Sequence, residues 1–197
     1  VALLAIAPAA HAGSTPSISS ATACPPPSTV VFSAWGDPNP YFLVAGGDFE
    51  ASPSSWTLTG GAATQAGNET FYVHGAKDAR SLSLPSGATA TSTPFCVSAT
   101  IPSMRMFVRN AGATASRLGL DVIYTKTDGT KGSVQVASFA GTATWTLTPS
   151  TAYYSTLVGI VPTTASGTSM VWFRFRPLDA TGAWSIDDVY VDPYKKL

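Results

Sequence analysis

The chain has 197 residues, of which 45% are hydrophobic and 11% are charged, and its eleven basic and eleven acidic side chains give a net charge of zero. This neutral balance argues against a protein that binds nucleic acid or an anionic membrane surface, because both need a basic face. The length suits a single domain with one core.

The first predicted element is a secretory leader. An apolar run from Val1 to Ala10 ends in a small-residue cleavage pattern that includes Ala12. The run is too short for the ~20 residues that cross a bilayer, so no membrane insertion is expected. The alternative is a buried N-terminal strand. We predict a partial signal peptide over 1–12 and a secreted, extracellular protein, with association to the cell wall left open.

An extended arm is predicted over 13–45. Residues 13–29 are polar and contain clustered prolines, which favour polyproline II. The segment from Val30 to Val44 has four aromatic side chains between turn-forming residues. Because so many aromatic rings are not expected to remain in water, this segment is predicted to pack on the domain that follows.

The two cysteines, Cys24 and Cys96, are predicted to form a disulfide, since an even number of cysteines in a secreted chain indicates pairing. The bond would tie the arm to the domain. The alternative is a lipoprotein with Cys24 as the modified residue, because Ala21, Thr22 and Ala23 precede it.

The domain itself, 46–197, is predicted to be an all-β sandwich or barrel, because short strand-like segments alternate with turn signals and no long segment has a helical period. The predicted strands are 48–50, 56–59, 71–73, 80–84, 89–97, 104–109, 117–125, 133–139, 145–147, 156–161, 169–176 and 184–191. Asp128-Gly129 predicts a tight hairpin between two of them.

Alternation along three of these strands separates two faces. The residues that alternate as core are Met104, Met106, Val108, Leu118, Leu120, Val122, Tyr124, Val171, Phe173 and Phe175. The opposite face is rich in arginine and has one tryptophan. If the three strands are neighbours in one sheet, this face is a candidate binding surface formed by Trp172, Arg105, Arg109, Asp121, Arg174 and Arg176.

Three segments carry a resemblance to a known family. Gly46-Gly47-Asp48-Phe49-Glu50 followed by Trp56, the turn from His74 to Leu82, and the closing segment from Trp184 to Val191 resemble motifs of carbohydrate-binding modules of the family 4/9 kind. Ala45 stands where those modules have Asn. The resemblance implies a galactose-binding-like, antiparallel jelly-roll β-sandwich. With its Cys24 arm, the whole chain also resembles a group of small secreted actinobacterial proteins.

In those modules, the Glu of the opening motif and an Asp of the closing strand often hold a structural calcium ion. The resemblance therefore implies Ca²⁺ at Glu50 and Asp187, with Asp48 and Asp78 as further ligands. Independently, alternation with Val189 and Val191 predicts that Asp187 points inward, where an unpaired carboxylate is costly and Ca²⁺ is a suitable partner. The alternatives are a buried ion pair with Arg80 and ordinary solvent-facing carboxylates.

Motifs for catalysis are scarce. After removal of the leader, His74 is the only histidine, and no nucleophile elbow or pair of zinc-spaced histidines is present. A glycosidase needs two acids across a cleft, one with a raised pKa, whereas the arginines expected around Asp121 would lower its pKa. We therefore predict that the chain is not an enzyme.

Three functional hypotheses follow. The first is a non-catalytic module for carbohydrate or cell-wall polysaccharide, in which Trp172 stacks on sugar and the arginines hydrogen-bond hydroxyls; the arginines equally suit an acidic polysaccharide or a phosphate-bearing wall polymer. The second is a structural or adhesive protein of the cell envelope with no small ligand. For the candidate face itself, the alternative is that it packs under the arm. The third is an unrecognised glycoside or ester hydrolase.

Overall fold

The structure is a computed structural model that describes residues 24–51, 54–98, 102–163 and 167–193. The predicted leader and residues 13–23 of the arm lie outside these ranges. The strands of the described chain are β1 (Thr29–Val30), β2 (Pro40–Leu43), β3 (Thr57–Thr59), β4 (Ala63–Ala66), β5 (Arg80–Leu84), β6 (Thr89–Thr91), β7 (Phe95–Ser98), β8 (Ser103–Asn110), β9 (Leu118–Thr125), β10 (Lys131–Phe139), β11 (Thr146–Leu147), β12 (Thr151–Ala152), β13 (Thr168–Pro177) and β14 (Trp184–Asp192). Short 3-10 helices cover Ser33–Trp35 and Tyr154–Leu157.

Two antiparallel sheets form the predicted sandwich. In the first sheet, β14 pairs along one edge with β8, and along its other edge with β5 and then β2. β1 and β4 extend this sheet beyond β2 and β5, and β11 and β12 pair with β8. In the second sheet the order is β10, β9, β13, β6, β3, with β7 also on β13. The all-β, jelly-roll expectation is therefore confirmed.

The main core lies between the two sheets, and the alternation of the sequence predicts its composition. Val171, Phe173 and Phe175 of β13 are fully buried, while Trp172 and Arg174 between them are partly exposed. All ten residues that alternate as core in β8, β9 and β13 belong to this cluster. The predicted hairpin also forms, because Gly129 takes φ +82° and Asp128 accepts the amide of Thr130.

A second, smaller core lies on the outer side of the first sheet, under the aromatic part of the arm. It consists of Phe32, Tyr41, Phe107, Trp145 and Tyr190. The ring of Phe32 meets that of Tyr41 edge-on at 4.9 Å and that of Tyr190 at 5.4 Å. The arm thus covers one outer face of the sandwich. β14 is buried along its whole length as a result, between the main core and this second cluster.

The predicted disulfide joins Cys24 to Cys96 and ties the arm to β7 of the second sheet, with 5.5 Å between the two Cα atoms. No helix within the described ranges has the length and apolar composition needed to cross a membrane.

Three predicted strands are wrong. Residues 48–50 form a turn in which Phe49 takes φ +53°, and residues 71–73 lie in an irregular loop. Residues 156–161 overlap the second 3-10 helix and the turn after it. Specific hydrogen bonds override the local propensity for strand; the amides of Phe71 and Val73, for example, donate to the nearby Glu69 carboxylate.

Asp187 is fully buried, as predicted, but it does not point into the main core. Asp187 lies opposite Phe107, and therefore on the outer face of the first sheet, whereas Ile186 lies opposite Val108 and in the main core. A β-bulge between Asp187 and Tyr190 inserts one extra residue and breaks the alternation that the prediction assumed.

Candidate functional site

The exposed outer face of the second sheet carries most of the predicted binding residues. A row of five side chains crosses the sheet because directly opposed residues share a face: Thr57, Thr91, Arg174, Asp121 and Gln135. Trp172 lies in the next row, opposite Ile123, with Ser133 beyond it. Thr59 and Thr89, whose hydroxyls are 2.7 Å apart, extend the polar surface toward β3. We call this surface the arginine face.

Asp121 anchors the arginine face from below. Its carboxylate is 3% exposed and accepts from both arginines of β13: Arg174 donates from Nε at 3.0 Å and from Nη2 at 2.7 Å, and Arg176 donates from Nε at 2.9 Å. Burial alone would raise the pKa of Asp121, but the hydrogen bonds and charges of Arg176 and Arg174 outweigh it and lower that pKa. Asp121 is thus a fixed anion that positions two guanidinium groups, and it is unsuited to general acid catalysis.

Trp172 has a cation over its ring. The Lys131 Nζ atom lies 3.4 Å from the ring centroid and donates to the Thr125 hydroxyl at 2.7 Å. An ammonium group in this position is attracted by the π electrons of indole. One side of the Trp172 ring is therefore covered by a positive charge, which the sequence analysis did not anticipate.

Arg105 and Arg109, the remaining residues of the predicted surface, lie elsewhere. Their strand, β8, pairs with β14 in the first sheet and not with β9, so the condition that the three strands are neighbours is not met. Arg105 donates to Asp37 of the arm at 2.9 Å, with its guanidinium over the Phe32 ring. Arg109 lies over the Trp145 ring. The alternative of packing under the arm is therefore correct for Arg105, whereas Arg109 contacts Trp145 and Ser185, which are outside the arm.

A group of buried carboxylates holds the loop 68–79, which we call the acidic loop. Glu69 is fully buried and accepts the backbone amides of Phe71 and Val73, the latter at 2.7 Å. Asp187 of β14 accepts the Glu69 amide at 3.0 Å, and Asp188 accepts the His74 amide at 3.1 Å. The loop backbone is therefore fixed by three acids, and the Phe71 side chain remains half-exposed at 48%.

His74 lies among the carboxylates at the end of this loop. Its Nδ1 atom is 2.9 Å from Asp78 and 3.7 Å from Asp48. His74, Asp78 and Asp188 each offer a ligand atom within 4.8 Å of the others. Burial would lower the pKa of His74, but Asp78, Asp48 and Asp188 outweigh it and raise that pKa. Three carboxylates thus interact with a single imidazole.

Burial, together with neighbouring negative charge, raises the pKa values of the adjacent aspartates Asp187 and Asp188 in β14. Burial, and then the neighbouring Asp188 carboxylate, raises the pKa of Asp187 to about 9. Burial also raises the pKa of Asp188 to about 7, with Glu69 adding to the effect. In the described chain, no ion pair joins Arg80 to Asp187; the Arg80 guanidinium donates to Thr64 instead.

The predicted calcium ligands take separate positions around this loop. One carboxylate oxygen of Glu50 accepts hydrogen bonds from the backbone amides of Ala79 and Arg80, at 2.9 and 2.7 Å. Asp187 uses both of its oxygens for backbone amides. Asp48 and Asp78, the lesser candidates, are the two that flank His74.

Glu69 and Asp188 belong to this cluster although the sequence pattern did not indicate them as ligands. Asp188 follows a predicted ligand directly, but only the bulge places it beside His74.

The donor set nevertheless fits a hard divalent cation. Asp78 and Asp188 supply carboxylate oxygens, which Ca²⁺ prefers, within 4.8 Å of each other, and Asp48 lies 3.7 Å from the His74 ring beside them. Burial raises the pKa of Asp188, and a cation would stabilise its ionised form. The imidazole nitrogen of His74 is not a usual calcium ligand, and His74 instead orients Asp78 by a hydrogen bond. The fit thus concerns these three carboxylates, and not the pair formed by Glu50 and Asp187.

No family model and no curated protein matches the sequence. Solved structures similar in fold include the N-terminal endo-1,4-β-D-xylanase 10B of Clostridium thermocellum, whose CBM22-1 and GH10 modules are complexed with xylohexaose. It has a TM-score of 0.52 and 15% identity over 74% of this chain and 27% of that one. The CBM22-1 xylan-binding domain of Paenibacillus barcinonensis Xyn10C has a TM-score of 0.49 and 15% identity over 80% and 94% of the two chains.

The chain thus spans about a quarter of that xylanase. At these identities the likeness concerns the fold. The expected jelly roll of the carbohydrate-binding modules is confirmed, and the module of that xylanase is of family 22.

Proposed function

We propose that this chain is a secreted, non-catalytic module that binds polysaccharide through the arginine face. The observation that carries the proposal is the anchoring of Arg174 and Arg176, each about a third exposed, by the buried Asp121. Charged residues are few in this chain, yet two arginines are held in fixed positions beside a tryptophan. Fixed hydrogen-bond donors of this kind can recognise the hydroxyl groups of a sugar.

Two further features support a glycan as the ligand. The rows of threonine hydroxyls on β3 and β6 extend the arginine face across the sheet and suit an elongated ligand. The similar xylanase is complexed with xylohexaose, a linear chain of sugars. The other outer face of the sandwich is covered by the arm, so the arginine face is the broad sheet surface left for a polymer.

Replacing Trp172 with alanine is expected to weaken retention on the bound polysaccharide at least tenfold, because truncation of an aromatic residue central to an interface costs about 2 kcal/mol or more. Affinity electrophoresis on a panel of soluble polysaccharides and isolated cell walls measures this change. The thermal transition of the variant shows whether the fold is retained.

Tyr72→Asn provides a matched control. Tyr72 is 51% exposed, lies in the acidic loop and takes φ +53°, a conformation that Asn tolerates. Loss of an exposed ring at this distant position should leave retention unchanged. Equal retention of Trp172→Ala and the native protein would remove the arginine face as the site. Absence of retention on every polymer would favour a structural protein of the cell envelope.

We further propose that Ca²⁺ binds Asp48, Asp78 and Asp188 and stabilises the acidic loop. The ion would supply the positive charge that offsets these carboxylates. The same carboxylates also hold the loop directly: Asp188 accepts the His74 amide, and Asp78 hydrogen-bonds the His74 ring.

Chelation is expected to lower the melting temperature at pH 8 by about 5–10 °C relative to millimolar Ca²⁺. A ligand at 100 times its Kd adds about 2.7 kcal/mol to the free energy of unfolding, and in a domain of this size each kcal/mol shifts the melting temperature by about 2–4 °C. The difference should shrink at pH 5. Folded Asp188 has a pKa of about 7 against about 4 when unfolded, so stability without metal falls as the pH rises through this window. A metal ion that binds the ionised Asp188 carboxylate offsets this loss of stability at high pH.

Asp188→Asn should abolish the calcium effect, whereas Asp128→Asn, which removes an exposed carboxylate in a hairpin, should leave it intact. A melting temperature that is indifferent to Ca²⁺ at pH 8 would exclude the site. A response to Zn²⁺ alone would mean that His74 is a ligand and that the ion is not calcium.

A further inference from the structure

The charge of the arginine face is unbalanced. On the outward side of β9, β10 and β13, three cations, Lys131, Arg174 and Arg176, lie around a single acid, Asp121. The hairpin beside them adds Lys126 and Asp128, whose charges offset each other. In a chain of zero net charge, this face therefore carries a local positive excess. A localised excess of this kind favours an anionic ligand.

Asp121 does not use up the donors of the two arginines. Arg174 commits its Nε and Nη2 groups to Asp121 and Ser133, and Arg176 commits the same two groups to Asp121 and Gln135. For each guanidinium, no hydrogen bond from Nη1 to a described residue is present. Two cationic donor groups, held side by side by one buried anion, are thus left for a ligand.

Lys131 makes a neutral ligand less suitable. Its ammonium group lies 3.4 Å from the centre of the Trp172 ring, in the space that a stacked sugar would occupy on that side. A neutral sugar must displace this ammonium to stack there and loses the cation–π contact. An anionic sugar can instead pair with the ammonium where it lies.

We propose that the polysaccharide bound by this chain is anionic, with carboxylate groups that pair with Lys131, Arg174 and Arg176. This inference rests on the proposed function and specifies its ligand class. A carboxylate suits this site because its two oxygens can accept from the remaining Nη1 groups and from the Lys131 ammonium. Trp172 then positions the Lys131 ammonium and borders the sugar ring.

The test compares polygalacturonate with the same polymer after chemical reduction of its carboxyl groups, and with neutral xylan, by affinity electrophoresis of the full chain. We expect retention by polygalacturonate to exceed that by the reduced polymer at least tenfold. Retention should also weaken steeply between 50 and 500 mM NaCl, since exposed ion pairs are screened by salt.

Lys131→Gln separates the role of this side chain from a general charge effect. It should weaken binding to polygalacturonate about threefold to tenfold. Lys126→Gln makes the same change of charge in the adjacent hairpin and should have little effect. The thermal transition of each variant verifies folding.

Unchanged or stronger binding of Lys131→Gln to polygalacturonate would mean that Lys131 merely covers Trp172, and would overturn the inference. Equal or tighter binding of the neutral polymers by the native chain would also overturn it, while leaving the proposed function in place. Absence of binding to all three polymers and to the wider panel would count against the proposed function itself.

Discussion

Replacing Phe107 with alanine should lower the free energy of unfolding by about 3–5 kcal/mol, the range for a large buried aromatic residue. Phe107 is fully buried although it is on the outer face of β8. Its ring contacts those of Phe32, Trp35 and Phe71, with centroids 6.3, 5.7 and 5.3 Å away. One truncation thus opens a cavity between the arm, the first sheet and the acidic loop.

Urea unfolding of the native chain and of Phe107→Ala measures the difference. Phe107→Leu keeps most of the volume and should cost much less. Limited proteolysis should cut the arm of the alanine variant first, because that side chain holds the arm to the sheet. A loss below about 1 kcal/mol would mean that the cluster relaxes around the gap and contributes little to docking of the arm.

Removal of the disulfide is the second change with a large expected effect. Cys24 and Cys96 are separated by 72 residues, and closing a loop of this length contributes about 4 kcal/mol in the chain-entropy model. The double variant Cys24→Ala and Cys96→Ala should therefore unfold at markedly lower urea concentration. We expect a measured loss of about 2–4 kcal/mol, because disulfides commonly deliver less than the model predicts.

Reduction of the native protein under non-denaturing conditions provides the matching control, since it opens the same bond without changing side-chain identity. Both forms should retain binding at the arginine face, because Arg174 and Arg176 are held by Asp121 of β9 and not by the arm. Unchanged stability in the double variant would show that the aromatic cluster alone is sufficient to hold the arm.

The sandwich and its core could be predicted from the sequence because they depend on a period of two. Met104, Met106 and Val108 on β8, and Val171 and Phe173 on β13, alternate without interruption, and each occupies the predicted core. Such alternation is a property of the strand itself, so no knowledge of its neighbours is needed.

The composition of the candidate site depended instead on which strands are neighbours. Trp172, Asp121 and Arg174 come together because β13 pairs with β9. Arg105 has the same alternation and the same residue type, but its strand belongs to the other sheet and its partner is Asp37. Tertiary packing determines which strands pair, and the alternation within a single strand carries no information about its neighbours.

The conformation of the acidic loop could not be predicted from the sequence pattern either. The segment from Phe71 to Val73 has strand-like residues, yet the Glu69 carboxylate binds two of its amides and holds it as a loop. Likewise, the bulge near Asp188 reverses the direction predicted for Asp187. Both features arise from single residues that interrupt a regular pattern, and a pattern-based prediction is least reliable there.

The pairing of β14 has a consequence for the order in which the chain can fold. β14 joins β8 on one edge and β5 and β2 on the other, and it follows all three along the chain. The first sheet therefore cannot be completed until residues 184–192 have been synthesised. Until then, β2, β5 and β8 lack this partner, and unpaired strand edges promote association between chains. Pairings between such distant segments also close slowly, so the risk of aggregation is greatest for nascent or truncated chains without β14.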